Sequence, residues 1–151
     1  MSRGRRRTPE AALCLEACRV DREPLSASVA PLDPERLLRL AAWHRVSTLL
    51  SESAEALGLP ASVRGPLRNA AMATLHRNMQ ILAEARRALD ALAEARIPVV
   101  LLKGIHLLDT VYDHPGQRPM SDVDLLVRPN DAFPAVVALK RLGYSGGERE
   151  L

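Results

Sequence analysis

The sequence predicts an α+β fold, in which an N-terminal helical region precedes a partial mixed-sheet core with flanking helices. Apolar residues recur at three- and four-residue steps through most of residues 9–95, the period that brings side chains to one face of a helix. From Arg96 the pattern changes to two short β-branched and leucine runs, Ile97–Leu102 and Val123–Val127, each too short for a helix and suited to a buried strand. Aromatic residues make up only 3% of the chain, so the core is expected to consist of Leu, Val and Ala, which pack more readily between helices than between two sheets.

The elements follow in order. Pro9 and Glu10 open a short helix reaching Cys18 or Arg19, and a Pro- and Ser-rich linker occupies residues 22–33. Asp33 and Pro34 have the N-cap and first-turn chemistry of a helix start. That helix is expected to run to Ser51, with Leu37, Leu40, Ala41, Val46, Leu49 and Leu50 on its apolar stripe. Leu75, Met79, Leu82, Ala85, Leu89 and Leu92 mark a long helix, which Gly65 and Pro66 should delay until after Pro66. His76, Arg77 and Asn78 read as its polar face. After the first strand, Ile105–Tyr112 fits a two-turn helix, and Pro115, Gly116 and Pro119 mark a loop from Asp113 to Met120. Asn130 and Asp131 cap a last helix through Leu142, Gly143 stops it, and Tyr144 begins a third strand. The domains expected are a disordered basic tip over 1–8, a helical region over 9–95 and a partial core over 96–151.

Composition excludes several classes. At 151 residues, 47% hydrophobic and 26% charged, the chain is in the range of one globular domain. Its longest apolar run is far short of the ~20 residues that cross a bilayer, and no apolar stretch follows Arg3, Arg5, Arg6 and Arg7, so neither a membrane span nor a secretory signal is expected. The expected location is the cytoplasm. A net charge of +3 without interleaved aromatics does not point to nucleic acid. Cys14 and Cys18, four apart, have neither redox nor zinc spacing and read as buried apolar residues. His44, His76, His106 and His114 read as ordinary packed or surface histidines. Of 21 basic residues only Lys103 and Lys140 are lysine, so Lys103, at the end of the first strand, is singled out as a place that wants a compact ammonium.

Chemistry concentrates at Ser121-Asp122-Val123-Asp124. In an extended segment residues i and i+2 share a face, so Asp122 and Asp124 present their carboxylates together while Val123 and Leu125 turn to the core. At about 6–7 Å and an effective dielectric of 20 the two anions repel by about 2–3 kcal/mol. A cation is therefore expected between them, and Mg²⁺ typically takes one or two carboxylates together with water and phosphate oxygens. The order of strand, Lys103-Gly104, short helix, loop and acidic strand reinforces this. A glycine at the turn lets backbone N–H groups approach a phosphate, and the helix N-terminus favours its charge.

These residues, with Leu101-Leu102-Lys103-Gly104, Leu107, Tyr112, Arg118, Asp122 to Val127 and Leu142-Gly143-Tyr144, resemble the nucleotidyltransferase superfamily that includes DNA polymerase β. Within it they resemble a bacterial group of uncharacterised nucleotidyltransferases. Leu40-Ala41 and His44-Arg45-Val46 are similar to the helical region of that group. The resemblance implies that Asp122 and Asp124 are catalytic, ligating two Mg²⁺ ions and a nucleoside triphosphate. Gly104, Lys103, Arg118 and Ser121 would contact the substrate phosphates. The partners implied are the triphosphate and an unidentified acceptor, a small molecule or a protein. The superfamily also places a third carboxylate on a later strand, for which Glu148 and Glu150 are poor candidates. The sequence is therefore expected to be a member cut short, and a non-catalytic nucleotide-binding or protein-interaction remnant is the alternative reading.

Overall fold

The computed structural model describes residues 8–19 and 31–146. The basic residues 1–7, most of the linker, and Glu148 and Glu150 lie outside the described residues. The α+β class is borne out. The elements are α1 (Pro9–Glu16), α2 (Pro34–Trp43), α3 (Ser47–Ser53), α4 (Ala61–Glu94), β1 (Val100–Leu102), α5 (Lys103–Thr110), β2 (Asp124–Leu126) and α6 (Ala132–Arg141), the last preceded by a 3-10 turn, Pro129–Asp131. They group into a helical unit, residues up to His76 with 114–119, and a sheet-bearing unit, residues 77–113 with those from Met120 on. No helix among the described residues is long and apolar enough to cross a membrane.

In the helical unit the core is Leu13, Cys14, Leu37, Ala41, Val46, Leu50, Ala54, Leu57, Leu59, Val63 and Leu67, without an aromatic ring, as the composition predicts. Trp43 and Phe133, two of the few aromatics, are instead 83% and 78% exposed. Asp33 caps α2 as expected, its Oδ1 accepting from the Glu35 and Arg36 N–H groups at 3.0 and 3.1 Å.

The helix expected through Ser51 is two helices. After Trp43 the backbone turns left-handed at Arg45, φ 58°, and the Val46 N–H donates to the Ala41 carbonyl while the Arg45 N–H donates to that of Ala42. This is the Schellman pattern, and it places Val46 in the core as the hydrophobic partner such ends use. Conversely, α4 begins at Ala61 and carries Pro66 inside it. The proline removes one helical hydrogen bond, but Val63 and Leu67 on either side of it are each 1% exposed, so packing overrides the local signal.

Cys14 is buried, as read, whereas Cys18 is exposed, because α1 ends before it reaches the core. Burial pushes the Cys14 thiol up. Brief treatment of the native chain with iodoacetamide is therefore expected to alkylate Cys18 well before Cys14, a difference that peptide mass spectrometry reads directly.

Glu10 ties α1 to α2 inside this unit. Its side chain is almost fully buried, accepts from the Asp33 N–H at 3.1 Å, and lies 3.6 Å from Arg36 Nε. The Asp33 N–H, helped by the backbone of Glu10 itself, Thr8 and Arg36, holds its carboxyl below the ordinary 4.5 against the opposing push of burial. A carboxyl lowered on folding contributes stability that is fully present above its unfolded value. That stability is lost as pH falls through the folded value. The urea midpoint is expected to fall below pH 4.5, and Glu10→Gln should remove that part of the pH dependence at a cost of about 1–2 kcal/mol at neutral pH.

In the sheet-bearing unit β1 and β2 pair antiparallel, with Val100 opposite Leu126, Leu101 opposite Leu125 and Leu102 opposite Asp124. The first strand is shorter than Ile97–Leu102 because its start is spent on closing α4. Arg96 turns left-handed, φ 57°, the Ile97 N–H donates to the Leu92 carbonyl, and Pro98 has no N–H for a ladder. Tyr144 does not begin a third strand among the described residues. Its N–H donates to the Leu139 carbonyl beyond Gly143, φ 92°, in another Schellman end. Its hydroxyl lies 3.2 Å from Glu84 Oε2, and burial, aided by that carboxylate, raises the phenol.

Candidate active site

The pleat of β2 sorts its neighbours into two faces. Val123, Leu125 and Val127 pack into the core clusters, with Leu101 and Val99 from the other strand. Asp124 and Leu126 have the opposite parity and lie with Val100 and Leu102 on the open face, while Asp122 precedes the strand and is exposed. Val100 and Leu126, paired across the ladder, are 56% and 54% exposed, so this face of the sheet is uncovered by the rest of the described chain. The strand thus places Asp124 on the open face, and Asp122 lies on the approach to it, before the paired residues.

Asp124 opens β2 opposite Leu102, the last residue of β1, and the next residue is Lys103. This register brings the ammonium of Lys103 to 3.2 Å from Asp124 Oδ1. The backbone of Lys103 is left-handed, φ 51°. The turn expected at the glycine is therefore made one residue earlier. Gly104 serves a different need: a Cβ there would stand 3.2 Å from Met120 Sδ and 3.3 Å from its Cγ, so the missing side chain lets the start of α5 lie against Met120. Met120 is itself buried.

The segment leading into the acids is pinned by a residue that the helical periodicity misassigned. Asn78, read as part of a polar face, is fully buried, and its Oδ1 accepts from the Met120 N–H at 3.2 Å. Met79, read as part of the apolar stripe, is 53% exposed. The signal was in the sequence, since Asn78, Ala85 and Leu92 lie at successive seven-residue intervals and all three are buried. Two residues after Met120, Asp122 accepts from the Ser121 hydroxyl at 3.2 Å, and both side chains are open to solvent.

Five of the six residues singled out by sequence, Lys103, Gly104, Ser121, Asp122 and Asp124, thus fall in one unit on the turn and on the approach to β2. Arg118 belongs to the helical unit, and its assignment to phosphates rests on the resemblance alone. The loop that carries it is docked there by a residue sequence reading passed over. Gln117 is buried, its carbonyl accepts from the Thr48 hydroxyl at 2.6 Å, and its amide donates to Glu52 Oε2 at 3.2 Å. His114 completes the docking. Its Nδ1 accepts from the Gly116 N–H at 3.1 Å, so the proton sits on Nε2, 3.0 Å from Glu52 Oε1.

The donor set suits a hard divalent cation. Both candidate ligands are carboxylates, Asp124 already faces a positive charge, and its side chain keeps 32% exposure through which water and phosphate oxygens could complete the coordination. Among the described residues no group of three or more His, Cys, Asp or Glu side chains is arranged to enclose a metal by itself. Two protein oxygens with the remainder supplied from outside is the arrangement that Mg²⁺ takes with nucleotides.

Comparison with curated proteins and with solved structures finds no match. The sequence profile of the family described as uncharacterised nucleotidyltransferase does match, over residues 30–150. That span runs from before α2 to beyond α6 and takes in the turn, both acids and the helices around them. The chain belongs to the uncharacterised nucleotidyltransferase family.

Proposed function

We propose that the chain transfers a nucleoside monophosphate from a Mg²⁺-bound nucleoside triphosphate to an acceptor, with Asp122 and Asp124 as the metal-holding pair. The observation that carries this reading is the position of Asp124 on the open face of β2, 3.2 Å from the Lys103 ammonium, with Asp122 exposed two residues before it. Family membership supplies the reaction class.

In the reaction an acceptor oxygen or nitrogen attacks the α-phosphorus. A bond forms there, the bond to the bridging oxygen breaks, and pyrophosphate leaves with the electron pair while the acceptor's proton passes to solvent. When bound, divalent ions supply charge stabilisation to the attacking and departing oxygens. The chain's own contributions are orientation and charge. Asp122 and Asp124 fix where the metal-bound triphosphate sits. The first N–H groups of α5 favour negative charge at the turn, and Lys103 adds a mobile positive charge to the same place. Ser121 holds Asp122 through the hydrogen bond at 3.2 Å, and the core side chains of Val123 and Leu125 keep the acidic segment extended.

The test is incubation of the full chain with each ribonucleoside triphosphate labelled at the α-phosphorus, Mg²⁺, and a panel of hydroxyl- and amine-bearing acceptors that includes the protein itself. Metal-dependent pyrophosphate release with label on an acceptor is expected. Metal-dependent binding without any transfer would leave the chain as a nucleotide-binding member of its family, and binding indifferent to metal would contradict the proposed site.

A further inference from the structure

Lys103 combines properties that seldom meet. Its backbone is left-handed, φ 51°, its ammonium is 3.2 Å from Asp124 Oδ1, and it is one of only two lysines in a chain that otherwise uses arginine. Among the described residues the other left-handed ones with side chains, Arg45 and Arg96, close the ends of α2 and α4, where paired hydrogen bonds back into the last turn accompany that conformation. Lys103 stands at a strand-to-helix turn, as the first residue of α5, where no helix C-terminus calls for it.

Holding a residue with a Cβ in this region is unfavourable, and glycine would occupy it without that cost. Retaining lysine therefore implies a use for the side chain. Stability is a poor candidate for that use. The Lys103 side chain is 72% exposed and that of Asp124 32%, and open pairs of this kind contribute little to stability. The pair does no more than offset its own backbone strain. What it does accomplish is to neutralise a carboxylate that has an anionic neighbour two residues away, and to do so weakly enough to be undone. The chemistry of the cation fits. A guanidinium grips a carboxylate by both oxygens, whereas an ammonium is a compact point charge, and here it touches Oδ1 alone.

We infer that Lys103 is the resident counter-charge of Asp124, an ammonium that occupies the carboxylate in the metal-free chain and is exchanged for a divalent cation when one binds. The inference rests on the proposed metal-holding role of Asp122 and Asp124. The exchange needs no proton transfer: one ion pair opens, a carboxylate–metal contact replaces it, and the freed ammonium becomes available to an incoming phosphate. Lys103 is on this account a positioning residue that sets the threshold for metal loading, so that metal alone competes with the ammonium while metal with triphosphate gives the ammonium a second anion.

The test is titration of the full chain with Mn²⁺ alone, following free Mn²⁺ by electron paramagnetic resonance. Lys103→Met and Lys103→Gly are expected to bind Mn²⁺ about three- to tenfold more tightly than wild type, because a competing cation has been removed. Lys103→Arg, which keeps the charge, should bind no more tightly than wild type. Lys103→Gly also relieves the left-handed strain, so urea denaturation should show it folded at least as stably as wild type, which keeps the comparison valid if Lys103→Met is destabilised. Mn²⁺ affinity unchanged or weakened in both uncharged variants would overturn the exchange role and leave Lys103 a structural bridge. Failure of the metal site itself has another signature: no Mn²⁺ binding by wild type or any Lys103 variant, or full binding by Asp124→Asn, and either would overturn both readings together.

Discussion

Replacing Asp124 by Asn is expected to lower nucleotidyl transfer by about a thousandfold or more while leaving the fold intact. The substitution keeps the side chain's shape but removes the charge that a hard divalent cation requires, and loss of a transition-state charge contact of several kcal/mol translates into at least that factor. Stability should change little. Among the described residues the only ion pair lost is the open one to Lys103, and the Asp122 side chain is exposed, so each single variant should remain within about 1 kcal/mol of wild type by urea denaturation. Asp122→Asn should give a loss of similar order, and the double variant little more than the worse single one, because two ligands of one ion act as a unit. The measurement is pyrophosphate release at saturating Mg²⁺ and triphosphate, paired with the denaturation curves. Two variants that remain fully active would remove the acids from the chemistry.

The second large effect is expected away from the reacting groups. Asn78→Leu preserves volume in the buried site but removes the acceptor for the Met120 N–H, and a buried donor left unsatisfied costs about 1–3 kcal/mol. The damage should be directional. Met120 leads into Ser121 and Asp122, so amide hydrogen exchange at 120–122 is expected to accelerate about thirtyfold, the equivalent of about 2 kcal/mol of lost local stability. Exchange in α2 and α3 should stay unchanged. Transfer activity should fall with Asp124 untouched, because Asp122 would no longer be held in register. Uniform acceleration across the sheet-bearing unit would instead mean that Asn78 stabilises the whole unit without any special bearing on the acidic segment.

Part of the candidate site was legible in sequence because it depends on parity. Once Val123–Val127 is read as an extended segment, Asp124 must turn away from the core side chains Val123 and Leu125, and β2 places it so, whereas Asp122 precedes the strand and its face does not follow from that parity. The change of periodicity at Arg96 likewise locates the passage from helices to strands. What could not be read has two physical sources. One is the local backbone, for glycine advertises left-handed freedom and lysine does not. The turn was accordingly expected at Gly104, while the structure places the left-handed residue at Lys103 and uses Gly104 to admit Met120. The other is tertiary packing that overrides local preference. Pro66 sits inside α4 because Val63 and Leu67 anchor it, and Asn78 is buried because a chain segment more than forty residues away needs an acceptor.

The break between α2 and α3 stands between these cases. The step from Ala41 to Val46 is five residues, too long for one continuous stripe, and it marks the place where the helix ends. Without a glycine there, sequence chemistry favoured continuation, and only the hydrogen bonds of Arg45 and Val46 show how the turn closes.

If the open face of β2 receives a metal-bound triphosphate between the acids and the turn, Mn²⁺ bound there with a non-hydrolysable nucleoside triphosphate should broaden the nearby backbone amide signals, with the Mg²⁺ complex as the diamagnetic reference. Broadening centred on 103–104 and 121–124, and lost in the Asp122→Asn, Asp124→Asn double variant, is the predicted result. Broadening centred elsewhere, or unchanged in that variant, would contradict the claim.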